Sequence, residues 1–185
     1  MTPTLTNGTK SPMRILVTGA GGFVGDALCR RLSASACDVV GIFREQPAAR
    51  DWMEARAIGD LTQVRDFSNV VDGMDAVIHL AARVHMMRET ATDPDIAFRQ
   101  ANTDVTQRLA EAASKAGVAR FVFLSSVKVN GEHTSGVAFS ERDAPAPEDA
   151  YGRSKRDAED ALQKIAATTK MTITTLRVPL VYGPS

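Results

Sequence analysis

A tyrosine and a lysine four residues apart, Tyr151 and Lys155, form the pattern in this chain that is best suited to proton transfer. Four residues make about one helical turn, so in a helix the two side chains share a face. A phenol has an ordinary pKa of about 10, too high for a base at neutral pH, and a neighbouring ammonium lowers it. The pair could therefore take a proton from a hydroxyl group or give one to a carbonyl.

Two serines, Ser125 and Ser126, follow the apolar residues 121–124. Such a run is typical of a buried strand, and open α/β sheets bind ligands at the carboxyl ends of their strands. There the Ser126 hydroxyl could bond to the oxygen at which charge develops. Without Tyr151, a serine that completes hydrogen bonds in a loop would be the better interpretation.

Gly19, Gly22 and Gly25 recur at intervals of three directly after the apolar run 13–18. Backbone without side chains lets a pyrophosphate approach the start of a helix, where free N–H groups and the helix dipole favour an anion. A tight turn that needs glycine for its own geometry is the alternative. The position after a buried strand favours a dinucleotide-binding loop.

The end of the second apolar run bears on the choice of coenzyme. An acid there would bond to the ribose 2′-hydroxyl of NAD, but Phe43 and Arg44 occupy this region. Arginine can pair with the 2′-phosphate of NADP, so Arg44 weakly favours NADP. A solvated Arg44, or a ribose contact from Glu45, is the alternative. Asp60 could bond to the adenine amino group or cap the segment that begins at Leu61.

The histidines and cysteines give weaker signals. His79 lies in an apolar run and is expected in the core, whereas Arg83 and His85 could face a substrate phosphate. Cys29 and Cys37 are too few for a disulfide framework and lack metal-ligand spacing, so no metal site is predicted.

The composition excludes several function classes. The 22 Lys and Arg residues balance the 22 Asp and Glu residues, so net charge gives no reason to expect binding to nucleic acid. No apolar run approaches the length that spans a membrane, and the polar start lacks the apolar stretch of a secretory signal. We expect a flexible tail over residues 1–12 and a cytoplasmic protein.

Apolar strand-like runs alternate with helical patterns along the chain. Strands are predicted at 13–18, 38–43, 56–58, 76–80, 120–124 and 171–178, and helices from 22 onward, within 44–55, and at 61–71, 93–116 and 150–168. Asp93 followed by Pro94 is typical of a helix start. The alternation predicts an α/β fold with a doubly wound, mostly parallel sheet in the order 3-2-1-4-5-6, a Rossmann domain over residues 13–185.

Together these patterns resemble the extended short-chain dehydrogenase/reductase family, which includes the NAD-dependent epimerases and dehydratases. The matching stretches are 18–25, 59–61, 79–82, Asn102, 121–126, 151–155 and 177–184. Residues 79–87 and 124–131 look most like a bacterial branch of UDP-glucose 4-epimerases and UDP-sugar 4-ketoreductases.

The resemblance implies roles for single residues. Ser126, Tyr151 and Lys155 match the catalytic triad, in which the lysine also bonds to the nicotinamide ribose. Ser126 is chosen over Ser125 because it lies five residues before Gly131, as the family's catalytic residue does before its own glycine. The predicted cofactor contacts, with Arg44 added for its charge, are Gly19, Gly22, Phe23, Val24, Gly25, Arg44, Asp60, Leu61, Leu80, Ala81, Ala82, Asn102, Ser125, Tyr151, Lys155 and Pro179.

One departure from the family narrows the expected reaction. Sugar 4,6-dehydratases carry an Asp-Glu pair directly after the catalytic serine or threonine, where this chain has Val127 and Lys128. The resemblance therefore implies an NAD(P)-dependent nucleotide-sugar 4-epimerase or 4-ketoreductase, with hydride transfer at sugar C4.

Two further expectations concern the extent of the chain and its partners. The family continues into a smaller lobe that binds the nucleotide-sugar and that is missing here, so this chain alone could bind the cofactor without turning over a substrate. Relatives pair through helices that match 93–116 and 150–168, which implies a homodimer. A non-enzymatic NAD(P)-binding redox sensor or interaction module is the alternative, which the missing lobe favours and the intact triad disfavours.

Overall fold

A single six-stranded sheet forms the centre of the computed structural model, which describes residues 11–84, 93–134 and 136–183. The strands are β1 Arg14–Thr18, β2 Asp38–Phe43, β3 Glu54–Ala57, β4 Ala76–His79, β5 Arg120–Ser126 and β6 Thr172–Val178. Their order is β3-β2-β1-β4-β5-β6, and every neighbouring pair is parallel. The predicted sheet and its strand order are confirmed.

Helices cover both faces of this sheet. They are α1 Phe23–Ser33, α2 Ser68–Val71, α3 Pro94–Phe98, α4 Val105–Lys115 and α5 Ala150–Thr168, with a π-helical segment Arg99–Asp104 before α4 and a 3₁₀ turn Val127–Val129 after β5. Cys29 of α1 packs with Val17 and Val39 on one face, whereas Leu109 of α4 and Leu162 of α5 pack on the other. Winding on two faces brings the carboxyl ends of β1, β4 and β5 together at one edge.

The helix predicted over 61–71 is wrong for most of its length, since only α2 forms. The Asp60 carboxylate accepts hydrogen bonds from the Thr62 amide at 2.9 Å and from its hydroxyl at 2.8 Å. Asp66 holds Ser68 in the same way, at 2.8 and 2.6 Å. These side chains stabilise turns in place of a continuous helix.

The segment before β3 also differs from the prediction. No helix forms within 44–55, and β3 begins at Glu54, two residues before the predicted start at Arg56. The strand starts there because Glu54 pairs in register with Val40 of β2. A pairing between distant segments overrides the weak local preference.

The long helix predicted over 93–116 is interrupted by the π-helical segment. Its start is as expected, because Asp93 accepts a hydrogen bond from the Ile96 amide at 3.2 Å and Pro94 follows. Its end is also as expected, at Gly117, which has a φ of +79°. The π-helical turn between them buries Asn102 and Thr103, and such turns are frequent at functional sites.

Some predictions fall outside the described residues. These are residues 1–10 of the expected tail, His85, and Pro184 in the last matching stretch. Among the described helices none is long and apolar enough to cross a membrane. The cytoplasmic location stays a prediction.

Candidate active site

The glycine loop joins β1 to α1 and has no room for side chains at two of its positions. Gly19 has a φ of +72°, and a Cβ there would lie 2.8 Å from the Ala81 amide nitrogen. A Cβ on Gly25 would overlap the Gly19 carbonyl oxygen. The N-cap of α1 is Gly22, which has no side chain to cover the first amides. This backbone cradle fits a pyrophosphate group at the helix start.

Asp26, an acid in the first turn of α1, would repel such an anion, but two arginines balance its negative charge. Arg30 and Arg50 both form ion pairs with the Asp26 carboxylate, the first at 2.8 Å. The hydrogen bond from Arg30 is the main reason why the pKa of Asp26 lies below its ordinary value. Two guanidinium groups around one carboxylate leave a net positive charge at this end of the helix.

The end of β2 carries the residues that were expected to choose the coenzyme. The Phe43 ring lies under the loop, 3.2 Å from the position of a Cβ on Gly21. Arg44 is exposed, with its guanidinium 3.5 Å from the Asp60 carboxylate. Asp60 also caps the turn at Thr62, and that amide is the main cause of its lowered pKa. Both roles considered for Asp60 remain compatible with this geometry.

The cofactor wall predicted at residues 80–82 follows β4 and is fixed by a buried hydrogen-bonded chain. The Ala81 amide donates to the Thr18 hydroxyl oxygen at 3.3 Å, and this hydroxyl lies 2.6 Å from His79 Nδ1. On the other side of the ring, His79 Nε2 lies 3.0 Å from the Thr106 hydroxyl. That hydroxyl donates to the Asn102 carbonyl at 2.5 Å, so its oxygen accepts the Nε2 proton. His79 Nδ1 is therefore the acceptor for Thr18.

Burial lowers the pKa of His79 to about 3, with the nearby Lys155 acting in the same direction. The ring is therefore neutral across the physiological pH range, as the hydrogen-bonded chain requires. His79 belongs to the core, as predicted, and holds the loop after β4 against β1.

Asn102 ties the same loop to the helix that carries Tyr151. Its amide oxygen accepts from the Arg83 backbone N–H at 2.8 Å, and its amide nitrogen donates to the Arg83 carbonyl at 3.0 Å. The same nitrogen donates to the Ser154 hydroxyl at 2.9 Å. The expected contact of Asn102 with the cofactor stays a prediction. In the structure its side chain supports the backbone that follows the predicted cofactor wall at residues 80–82.

The three residues of the predicted triad meet at the carboxyl edge of the sheet. Ser126 is the last residue of β5, and Tyr151 lies in the first turn of α5 within hydrogen-bonding reach of it. The Lys155 ammonium lies 5.9 Å from the centre of the Tyr151 ring. The missing side chain of Gly152 lets the start of α5 lie close to the turn after β5, because a Cβ there would lie 2.8 Å from the Lys128 carbonyl oxygen.

Lys155 is buried and makes a specific contact with the sheet. Its Nζ donates to the Leu124 carbonyl at 2.8 Å and lies 4.6 Å from the centre of the Phe123 ring. Burial lowers its pKa to about 7, against the opposing effect of Glu159. Near neutral pH its proton is therefore readily gained and lost.

The expected effect of Lys155 on Tyr151 is not found. Burial raises the pKa of Tyr151 above its ordinary value, and the hydrogen bond to Ser126 only partly opposes this. The expectation was wrong because Lys155 is itself desolvated and bonds to a strand carbonyl. In this arrangement Tyr151 holds its proton at neutral pH and is ready to act as an acid.

Residues 15–185 match the NAD dependent epimerase/dehydratase family. The chain belongs to this family. It is 38% identical over 180 residues to the UDP-glucose 4-epimerase of Vibrio cholerae, covering 97% of this chain and 55% of that protein. The chain thus spans about half the length of the curated relatives it matches.

Solved structures agree with this membership of the epimerase/dehydratase family. The NAD complex of UDP-glucuronic acid 4-epimerase from Bacillus cereus superposes with a TM-score of 0.79 at 30% identity, covering 93% of this chain and 58% of that one. An NAD-bound short-chain dehydrogenase/reductase superfamily protein from Agrobacterium tumefaciens gives 0.77 at 30% identity, covering 89% and 48%. The resemblance to the short-chain dehydrogenases and reductases is confirmed.

The remaining predicted positions of this family member lie around the same edge. Phe23 and Val24 begin α1, Leu61 packs against the core, and Pro179 is exposed directly after β6. The Arg83 guanidinium lies 5.5 Å from the centre of the Phe98 ring. The roles of these residues stay predictions.

Sequence reasoning missed a buried acid behind the triad. Glu159 is 3% exposed and accepts a hydrogen bond at 2.5 Å from Ser125, a residue that was expected along the cofactor. Arg177 of β6 pairs with the same carboxylate at 2.7 Å. A signal was present, since Glu159 follows Lys155 by the same four-residue step that separates Lys155 from Tyr151.

Proposed function

We propose that this chain carries the NAD(P)-binding and proton-transfer part of a nucleotide-sugar 4-epimerase or 4-ketoreductase. The observation that carries the proposal is the meeting of Ser126, Tyr151 and Lys155 at the same edge of the sheet as the glycine loop, the edge where open α/β sheets bind ligands. The similarity to UDP-sugar 4-epimerases supports a UDP-sugar as the substrate.

The residues divide the proton chemistry between them. NAD(P), when bound, supplies the acceptor and donor of hydride for sugar C4. The Ser126 oxygen accepts from the Lys128 amide at 3.2 Å, and its hydroxyl, which lies within hydrogen-bonding reach of Tyr151, would donate to the sugar oxygen when substrate is bound. Tyr151 gives its proton to that oxygen when the carbonyl is reduced and takes it back when the alcohol is oxidised.

The residues after Ser126 support this reaction over dehydration. The Lys128 ammonium bonds to Asp149 at 2.6 Å and to Glu132 at 2.9 Å. The Asp149 bond is the main reason why the pKa of Lys128 is raised, so this side chain stays protonated and is not a base. A neutral Val127 and a fixed cation cannot replace the two carboxylates of a dehydratase.

Turnover of UDP-sugars by the whole protein tests the proposal. An epimerase forms UDP-galactose from UDP-glucose with NAD and leaves no net NADH, whereas a 4-ketoreductase consumes NAD(P)H with a UDP-4-keto-sugar. Coenzyme binding without either reaction would reject the enzyme and favour a sensor or interaction module.

We further propose that Arg44 favours NADP through its 2′-phosphate. Its exposed guanidinium stands at the end of β2, where Phe43 replaces the acid that would select NAD. The Arg44→Ala variant of this chain is expected to bind NADPH about tenfold more weakly, with NADH affinity unchanged within about twofold. Fluorescence titration measures both affinities. Arg65→Ala, at an exposed arginine outside the predicted site, is the control. Equal loss for both coenzymes would contradict selection by Arg44.

A homodimer through the helical segment 93–116, which ends in α4, and through α5 is also proposed. The two helices pack side by side, and a surface groove between them is lined by residues that include Gln107, Glu111, Lys164 and Ile165. Light scattering at micromolar concentration is expected to give twice the chain mass of 19.8 kDa. The mass of a monomer would count against this arrangement.

A further inference from the structure

We propose that Glu159 is a positioning residue that holds Lys155 and Ser126 in their working places through a buried brace. The brace consists of Glu159, Ser125, Arg177 and Asn130, which are joined by side-chain hydrogen bonds. That Lys155 and Ser126 serve catalysis in these positions rests on the proposed function, whereas the hydrogen bonds of the brace are present in the structure.

Glu159 forms the centre of the brace. Its carboxylate accepts from the Ser125 hydroxyl at 2.5 Å and from Arg177 Nε and Nη2, at 3.0 and 2.7 Å. Arg156 of α5 lies farther off, 3.9 Å away, and pairs more closely with Asp160 at 2.7 Å. A buried carboxylate with several donors is held in one orientation.

The brace spans both sides of Ser126. Ser125 and Arg177 face each other in the register of β5 and β6. Arg177 Nη1 also donates to the Asn130 side-chain oxygen at 3.2 Å, directly after the 3₁₀ turn. Ser126 and its turn are therefore fixed at residue 125 on one side and at residue 130 on the other.

The same carboxylate fixes α5 against β5 at the level of Lys155. Lys155 lies one turn before Glu159, and its ammonium bonds to the carbonyl of Leu124, the residue before Ser125. Two successive residues of β5 thus bond to side chains one turn apart on α5. A shift of the helix along the strand would break both contacts.

Glu159 also affects the charge of Lys155. The charged or titratable groups around Lys155 are Tyr151, Arg156 and Glu159 on its own helix, His79 on β4, and Arg177 on β6 behind Glu159. Burial lowers the pKa of Lys155, and Glu159 raises it. Loss of the Glu159 carboxylate would remove a negative charge that raises the pKa of Lys155, and it would also leave the positive charge of Arg177 without that partner. Both effects lower the pKa of Lys155 further.

Opposite variants test the proposal without turnover. The chain is prepared with ¹³C-labelled lysine, and the Lys155 signal is assigned by its loss in Lys155→Met and titrated by NMR. We expect Glu159→Gln to weaken proton binding at Lys155 by about tenfold, and Arg177→Gln to strengthen it, since one removes a negative and the other a positive charge. Asp160→Asn removes a more exposed acid of the same helix and serves as the matched control, with little change expected.

The outcomes are separable from those of the functional proposal. Lower thermal stability in both variants with an unmoved Lys155 titration would show a structural role alone and overturn the proposal. If Arg177→Gln does not fold, because it strands a carboxylate that is 3% exposed, Glu159→Gln decides, since it leaves only the 20% exposed Arg177 without its carboxylate partner. An unmoved midpoint in that variant rejects the proposal, and the epimerase assay stands independently of this result.

Discussion

Replacing Tyr151 with phenylalanine is expected to lower UDP-sugar turnover by the whole protein by about 10²- to 10⁴-fold. The change removes one hydroxyl, the group that gives and takes the proton at the sugar oxygen. The ring and its edge contact with Phe98, at 6.1 Å between centres, are kept. Steady-state kinetics with UDP-glucose, together with titration of the coenzyme, measure the effect, and coenzyme affinity should remain within about threefold.

The chain provides a matched control for this variant. Tyr182 is its other tyrosine and is 86% exposed, so Tyr182→Phe removes the same hydroxyl from a side chain outside the predicted site. Its turnover should stay close to that of the parent. Retained activity in Tyr151→Phe would mean that another group moves the proton, and the assignment of the triad would fail.

Replacing Gly25 with alanine is expected to weaken binding of NADH and NADPH by this chain by at least about 100-fold. The new Cβ would overlap the Gly19 carbonyl oxygen and lie 2.9 Å from the Ala20 Cα. Both are backbone atoms, so relief requires movement of the loop that forms the pyrophosphate cradle. Titration calorimetry measures the affinity, and thermal unfolding measures the stability of the same samples.

A second glycine separates binding from stability. Gly117 ends α4 with a φ of +79° and has no neighbouring atom within 4 Å of an added Cβ. Gly117→Ala is therefore expected to cost about 1 kcal/mol of stability through backbone strain alone, with coenzyme affinity unchanged. If Gly25→Ala binds coenzyme as well as the parent does, the glycine loop is not the coenzyme site.

Several features could be read from residue order alone. Alternating apolar runs and helical patterns predicted the six strands, and their order followed because six such strands match the two halves of a dinucleotide-binding fold. The four-residue step from Tyr151 to Lys155 predicted a shared helix face, and α5 has the predicted bounds. Asp93 and Pro94 marked a helix start because their capping chemistry is local.

Where the outcome depended on distant segments, the sequence was silent or misleading. Glu54 joins β3 because the distant Val40 pairs with it. The turn after Asp60 is a separate case, because there a local side-chain hydrogen bond replaces the predicted helix. The sequence also suggested that Lys155 would lower the pKa of Tyr151, but burial of both groups reversed that expectation.

The sequence by itself determined which chemical groups this protein places at one edge of a parallel sheet. Residue type and spacing are local properties, and periodicity converts them directly into strands, helix faces and caps. Only the tertiary structure decided how those groups are charged and held. In the folded protein the Ser125 hydroxyl donates a hydrogen bond to Glu159, and burial lowers the pKa of Lys155 to about 7. Desolvation and long-range hydrogen bonding depend on neighbours that come together only when the chain folds.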